Sequence, residues 1–420
     1  MGNPHIGWLA GWMMLLASIV SISAVALAHQ LTLPQISSTF QFVGDGTGKY
    51  DVATNAVLLA AVLILFTTLV NAFGVKLMAT INTAGVFIEL IATVVLIILF
   101  AVHITRGSQV VMDTQGTGHG QSFGYLGAFL VASLASAYVM YGFDTASSLG
   151  EECLDPSRNA PRAIIASFVL GGLVLLLALM SVSSLKGDKL STDGLQYIVL
   201  DVLGPTAGKA MLWCVLIAVT VCALAVHTAA IRLAFAMARD NNLPASSKLA
   251  KVNARFQTPV LPTVIIGVLA LAILVVNIRQ PQIFTVVTSI GIIMIYLAYL
   301  LVTGPMLVAR LRGKWQPAGD GKFSLGRWGL LVNIVAVVWG AVMTINLIWP
   351  RSAVYNAAAP YHWYLRWGAV LFVGVVAGGG FAYYWFVQRH RTGVLAEHQF
   401  QAPATAPVAT PVTPATPATD

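Results

Sequence analysis

Residues 141–148, Tyr-Gly-Phe-Asp-Thr-Ala-Ser-Ser, follow an apolar run that starts near Leu126, and they carry chemistry that the run does not. Gly142 permits backbone torsions closed to other residues. The side chains of Asp144, Thr145, Ser147 and Ser148 can rebond backbone groups that unwinding frees. With Tyr141 and Phe143 they make a candidate binding segment. Hydrocarbon offers no partner for a free N–H or C=O, so an unwound segment survives only inside protein or beside a wet cavity. The half-helix ends of such a break carry partial charges suited to a small zwitterion or an ion. A membrane-embedded acid such as Asp144 is costly and faces a cavity or a partner. Ser147 and Ser148 taken alone also fit plain packing between helices. Gly142, Phe143 and Asp144 taken together predict a functional break.

Two further polar residues lie in apolar surroundings. Glu89, in "NTAGVFIELIATVVLIILF", is a candidate for proton coupling. The competing reading places it near the inner interface, snorkelling or paired with Lys76 or Arg232. His227, in "CALAVHTAAIRLAFAMARD", is a candidate relay, or else a packing residue whose hydrogen bonds are satisfied. Glu151 and Glu152 end the polar stretch, Asp155-Pro156 makes a turn, and Pro161 suits the first turn of the next helix. Without histidine, cysteine or metal-ligand spacing nearby, these carboxylates are expected to pair with Arg158 or Arg162. The segment "MARDNNLPASSKLAKVNARFQTPV" reads as a second charge-paired loop. Cys153, Cys214 and Cys222 form no disulfide framework and no metal spacing. No phosphate loop, nucleophile elbow, zinc pattern or dinucleotide fingerprint occurs. No enzyme activity, cofactor or metal site is therefore expected. A sodium site built from backbone and hydroxyl oxygens would leave little trace in a sequence.

The elements that must position these residues follow from composition. Of 420 residues 58% are hydrophobic and 9% charged, and mean hydropathy is +0.82. Soluble domains carry about 25% charged residues. Apolar runs near 20 residues recur, the length that crosses a bilayer core of about 30 Å. The fold class is an all-α polytopic membrane protein. Ten helices are expected, at about 8–29, 53–72, 83–104, 125–149, 161–184, 208–237, 260–277, 283–309, 328–349 and 364–387. The Ala26-Leu27-Ala28 end of the first resembles a signal-peptidase site, but no Lys or Arg precedes it and the apolar part is long, so a retained helix is expected. If that helix runs outward, inner segments hold 15 of the 23 Lys and Arg and outer segments 8. That bias predicts cytoplasmic termini, and positive inner loops explain the net charge of +8 without nucleic acid. Residues 1–391 form the membrane domain, and the Pro/Ala/Thr-rich 392–420 reads as a disordered cytoplasmic tail.

Four stretches carry a family resemblance. "GFDTASSLGEECLDPSRNAPRAI" (142–164) resembles the sixth-helix signature and following loop of amino acid permeases of the amino acid–polyamine–organocation superfamily. "AIRLAFAMARDNNLPASSKLAKVNARFQTPV" (230–260) is similar to the end of that family's eighth helix and its loop. "FSLGRWG" (323–329) and "NAFGVKLMATIN" (71–82) point to the amino acid/choline transporter branch. The resemblance covers nearly all of the chain before the tail. It implies a LeuT-type inverted-repeat fold. It also implies a secondary transporter in the plasma membrane, importing an amino acid or related amine such as γ-aminobutyrate by alternating access, with a proton or sodium ion as coupling partner. Aligning the signatures makes the helix at 125–149 the family's sixth, so the family's first two helices have no counterpart here. A non-transporting truncated permease or a permease-derived sensor is therefore the alternative. Residue by residue, only Tyr141 to Ser148 carry over, with Phe143 resembling an aromatic lid and Gly142 with nearby backbone lining the pocket. The branch often has histidine at the position of Glu89, so a role for Glu89 rests on this chain's residues alone.

Overall fold

The first apolar run folds as one helix, α1 (Pro4–Ile36), in the computed structural model of the protein. The described residues are 3–114, 116–119, 123–148, 150, 153–170, 172–184, 190–278, 281–316, 319, 322–355 and 361–395. The Asn3 side chain caps α1 by accepting the His5 N–H at 3.0 Å. Pro4 sits in the first turn, where a missing N–H costs nothing. After α1 come α2 (Asp51–Phe73), α3 (Val75–Val102), α4 (Gly124–Val139), α5 (Thr145–Ser148), α6 (Pro156–Leu170), α7 (Leu173–Ser183) and α8 (Leu190–Arg239). The chain continues through α9 (Ser246–Leu249), α10 (Val260–Asn277), α11 (Pro281–Leu311), α12 (Gly329–Ile348), α13 (Ser352–Tyr355), α14 (Trp363–Arg366) and α15 (Gly368–Tyr383).

α1 lies between two groups of helices and buries opposite faces against them. Leu15, Ile19, Ile22 and Ala26 pack into a core with Ile64 of α2, Ile231 of α8 and Leu274 of α10. Met13, Ala17 and Val20 pack into a second core with Ile293 and Met294 of α11, Met343 of α12 and Val373 of α15. Ser23 exposes no surface. Its hydroxyl donates to the Ala270 carbonyl at 2.9 Å, joining α1 to α10. α3 and α8 run antiparallel, because Met78 packs with Leu224 while Gly85 faces Val221. Gly85 is needed there, since a Cβ would fall 2.0 Å from the Val221 side chain.

Large apolar side chains stay on the outside, among them Phe87, Ile91 and Val94 of α3 and Val335 and Val338 of α12. Water would penalise such a surface, whereas lipid does not. Among the described residues, seven helices are long and apolar enough to cross a membrane, and three shorter helices are apolar. The chain is an all-α, multi-pass membrane protein.

Six expected helices differ clearly in their bounds, the first because 8–29 is part of a longer helix, Pro4–Ile36. The expected helix 83–104 starts at Val75, after a one-residue hinge at Gly74 (φ 145°, ψ 148°). The expected 125–149 is two pieces, α4 and α5. The expected 161–184 is also two, because Gly172 takes φ 53° between α6 and α7. Pro161 is not in a first turn; Pro156 is, and Pro161 lies inside α6. A proline at 161 leaves the carbonyl four residues earlier without its helical donor. That carbonyl, Ser157, takes the Phe323 N–H at 3.4 Å instead. The expected 208–237 is the last part of α8, whose earlier turns break at Gly194 and Gly204. The expected 364–387 is α14, α15 and a π-helical turn over Tyr384–Gln388. Glu151, Glu152 and residues 396–420 lie outside the described residues, so the expected carboxylate pairing and most of the expected tail do too. Ahead of residue 396, Gly393 and Leu395 donate backbone hydrogen bonds to Asp240 and Arg239, at 3.1 and 2.9 Å.

Candidate functional site

α4 stops at Val139, and the chain does not turn helical again until Thr145. Gly142 takes φ 90° in the gap, a torsion that costs a side-chain-bearing residue strain. Short side chains then collect the freed carbonyls. The Thr145 hydroxyl donates to the Gly142 carbonyl at 2.7 Å. The Ser147 hydroxyl donates to the Asp144 carbonyl at 2.6 Å. The break is therefore stitched by its own sequence, as Ser and Thr side chains do where they compete with the helical ladder.

The Asp144 carboxylate looks away from this stitching. Its Oδ1 accepts the Tyr299 hydroxyl at 2.7 Å. The same hydroxyl oxygen accepts the Gly142 N–H at 3.5 Å. The Tyr299 ring stacks on Phe143 with centroids 5.0 Å apart and an interplanar angle of 29°. One side chain of α11 thus touches three consecutive residues of the break.

A cavity of about 840 Å³ opens beside this contact. Its walls come from α1 (Ala10, Gly11, Met14), α4 (Ser133, Ser136, Ala137), α11 (Tyr296, Tyr299, Thr303) and α12 (Ala336, Trp339, Gly340). The size falls in the range of about 300–1,000 Å³ typical of small-molecule sites. Of the six residues singled out in the sequence, Phe143, Asp144 and Ser147 line the cavity. Tyr141, Gly142 and Thr145 do not line it. Tyr141 packs against the α1–α11 core and edges onto Tyr138 at 5.5 Å. Gly142 and Thr145 shape the break.

The two coupling candidates stand apart from this cavity. Glu89 lies at mid-length of α3 and is exposed there. Lys76 is thirteen positions back along the same helix, about 20 Å by helical rise. Arg232 lines a small pocket with Val75 and Met78, at that same far end of α3. The expected placement near the helix start, with pairing to Lys76 or Arg232, is therefore wrong; Glu89 is a mid-span acid. His227 exposes no surface. Its Nδ1 lies 3.0 Å from the Thr67 hydroxyl. Its Nε2 is buried and has no hydrogen-bond partner among the described residues. The neighbouring Thr228 hydroxyl donates to Asn71 Oδ1 at 2.8 Å, and Asn71 donates to the Thr67 carbonyl at 2.9 Å. His227 thus belongs to a buried polar cluster between α2 and α8.

Sequence reasoning missed Tyr296, Tyr299, Thr303 and Trp339. A signal was present in "YLAYLLVT", where Tyr296, Tyr299 and Thr303 recur at i, i+3 and i+7 and so share one helix face. Nothing in that spacing says which neighbour the face meets.

The fold defines a polytopic helical membrane protein with a cavity of small-molecule size beside a broken helix. The family model described as "Amino acid permease" matches residues 2–376, and the chain belongs to this amino acid permease family. The family is one of transporters and not of enzymes. The chain is 26% identical to amino-acid permease BAT1 of Arabidopsis thaliana, over 92% of this chain and 76% of that one. It is 28% identical to a putative amino acid/polyamine transporter of Macrophomina phaseolina, over 82% and 77%. It is 25% identical to the low-affinity putrescine importer PlaP of Escherichia coli, over 66% and 58%.

Proposed function

We propose that the protein is a secondary active transporter that imports an amino acid or related amine, such as γ-aminobutyrate, by alternating access. The observation that carries this reading is the break at Gly142, which brings Phe143, Asp144 and Ser147 to the wall of the 840 Å³ cavity. Tyr141, Gly142 and Thr145 hold that wall in shape, and all six residues make up the substrate site. The amino acid permease family and the named relatives support a small amino acid or amine as cargo.

Import is coupled to a proton or a cation. Glu89 supports this as a mid-span acid on α3, and His227 as a buried imidazole that touches a hydroxyl chain. Neither borders the cavity, so coupling through either requires movement of α3 or α8 against the broken helix. The protein resides in the plasma membrane, with cytoplasmic termini, on the strength of its inner-loop excess of Lys and Arg.

The test is uptake of labelled amino acids and amines by the purified full chain in proteoliposomes, with and without an imposed proton or sodium gradient. Saturable, gradient-dependent uptake is expected. Uptake indistinguishable from empty vesicles, across both gradients and the whole substrate panel, would remove the transporter reading.

A further inference from the structure

We infer that the connection between α11 and α12 is a docking surface for anionic phospholipid headgroups, with Arg310 at its centre. This surface is separate from the cavity and from the break at Gly142. Residues 310–328 hold five cations, Arg310, Arg312, Lys314, Lys322 and Arg327, and one acid, Asp320. That is a net +4 in a short stretch, against +8 for all 420 residues. A cationic cluster directly beside a membrane span attracts anionic lipid.

The fold sets this charge at the edge of the bilayer. Ser289–Leu311 and Gly326–Ile348 are each long and apolar enough to cross a membrane, so the connection between them lies at a membrane surface. The two spans run antiparallel. Gly340 faces Leu300, Asn333 Nδ2 donates to the Thr303 carbonyl at 3.0 Å, and Gly329 lies against Arg310. α11 ends in a glycine cap. Gly313 takes φ 65°, its N–H donates to the Arg310 carbonyl at 3.1 Å, and the Lys314 N–H donates to the Ala309 carbonyl at 2.9 Å. Such a pair of bonds closes a helix on a left-handed residue and reverses the chain. Trp315 follows the reversal, and the Arg310 guanidinium lies 4.4 Å from its ring centroid.

Gly329 confines Arg310 from the other side, since a Cβ there would fall 2.8 Å from Nη1. The guanidinium is thus held between a ring and the start of α12. Its Nε is buried and has no hydrogen-bond partner among the described residues. A planar guanidinium matches phosphate oxygens in geometry as well as charge. Arg312, Lys314, Lys322 and Arg327 are exposed, and Arg327 lies over the Trp328 ring at 5.4 Å. Leu311, Leu325 and Trp328 are exposed among these cations. A dissolved anion would neutralise the charges and leave the apolar side chains in water. A lipid covers both, with its phosphate on the cations and its acyl boundary on the apolar groups. Tryptophan favours the headgroup level for the same reason. The Phe323 N–H donates to the Ser157 carbonyl at 3.4 Å and ties the connection to α6.

The test uses the purified full chain in an uncharged detergent, with phosphatidylglycerol, phosphatidylcholine or glycerol phosphate added. Binding is read by native mass spectrometry and by thermal stabilisation. Phosphatidylglycerol is expected to bind about tenfold tighter than phosphatidylcholine and to raise the unfolding midpoint, with glycerol phosphate having little effect. The triple substitution Arg312→Gln, Lys314→Gln and Arg327→Gln is expected to abolish the preference. The matched triple Lys248→Gln, Lys251→Gln and Arg255→Gln removes the same charge from another exposed loop and is expected to keep it. Arg310→Lys, which keeps the charge without the planar fork, should weaken the preference in part. Equal binding of the two lipids overturns the inference, and so does a first triple that keeps the preference. Equal loss in both triples overturns it as well, because net charge alone would then account for the binding. Stabilisation by glycerol phosphate as strong as that by phosphatidylglycerol assigns a dissolved anion and overturns lipid docking. Hydrogen exchange on the unsubstituted chain requires no variant to fold. The amides of 310–328 should exchange more slowly in nanodiscs containing phosphatidylglycerol than in phosphatidylcholine alone, and equal exchange overturns the inference.

Discussion

The Tyr299 hydroxyl donates to Asp144 at 2.7 Å while the Tyr299 ring stacks on Phe143 at 5.0 Å, so α11 grips two consecutive residues of the break between α4 and α5. A hydrogen bond to a charged group contributes roughly 1.5–3 kcal/mol. Tyr299→Phe deletes that bond and keeps the ring. Its unfolding midpoint is expected to fall by the equivalent of roughly 1.5–3 kcal/mol, and its kcat/KM for uptake by at least about tenfold, since about 1.4 kcal/mol is a factor of ten. Tyr299→Leu, which also loses the ring stack, should lower the unfolding midpoint further. Normal kcat/KM in Tyr299→Phe would show the bond to be idle in transport.

Gly142 combines φ 90° with open space, since a Cβ there meets nothing within 4 Å. Any cost of substitution is therefore backbone strain and not a clash. Strain of this kind is about 1–3 kcal/mol. Gly142→Ala is expected to lose that much stability and to slow uptake as the break rewinds. Gly142→Asn, which tolerates positive φ better, should lose less. Equal stability of Gly142→Ala and the parent protein in a denaturation series would mean the break does not depend on this torsion.

Much of the helical layout was legible in the sequence because lipid crossing forces long apolar runs. The expected 260–277 coincides with α10, and 328–349 differs from α12 by one residue at each end. The break at Gly142 was legible because glycine, acid and hydroxyls crowd into eight residues. Three things were not. The interruption at Gly172 sits between two strongly apolar segments, and hydropathy does not register a backbone torsion. The depth of Glu89 depended on where α3 begins, and the one-residue hinge at Gly74 gives no gap in hydropathy. Tyr299 is separated from Asp144 by 155 positions, and only the packing of α11 against the break brings them together.

The α3–α8 contact makes a stability prediction that does not involve transport. A Cβ on Gly85 would fall 2.0 Å from Val221 Cγ2. Overpacking of this kind costs typically 1–3 kcal/mol. Gly85→Ala is expected to destabilise by that amount, and adding Val221→Ala should restore most of it. A double-mutant cycle in thermal unfolding measures the coupling directly. Additive effects would mean the two helices are not in contact at this level.

Glu89 and His227 make separable predictions about coupling. Glu89→Gln removes the charge and keeps the shape, and uptake is expected to lose its dependence on pH. Thr67→Val leaves the fully buried His227 Nδ1 without its hydroxyl partner, at a cost of about 1–3 kcal/mol. If His227 only packs, Thr67→Val should lower the unfolding midpoint and leave the pH profile of uptake unchanged. If His227 carries a coupling proton, the profile should shift as well. A pH profile that Glu89→Gln leaves intact would take Glu89 out of the mechanism.

Asn346, near the end of α12, holds α4 from the other side. Its Nδ2 donates to the Leu130 carbonyl and to the Ser133 hydroxyl, each at 2.9 Å. Its own carbonyl and Oδ1 accept from the Arg351 guanidinium. Ser133 lines the cavity, and Leu130 lies three turns before the break, so this clamp fixes the helix that ends at Val139. Asn346→Ala removes the bonds to α4 and the Oδ1 bond to Arg351, and leaves the bond from Arg351 to the backbone carbonyl in place. Asn346→Asp keeps an acceptor for Arg351 and loses the donors to α4. If the grip on α4 is what matters, the two variants should lose similar stability, about 1–3 kcal/mol, and raise KM together. If the Arg351 contact is what matters, Asn346→Asp should match the parent protein in unfolding while Asn346→Ala does not. Thermal unfolding and uptake kinetics on the same two preparations decide between them, and the geometry at Leu130 and Ser133 predicts the first outcome.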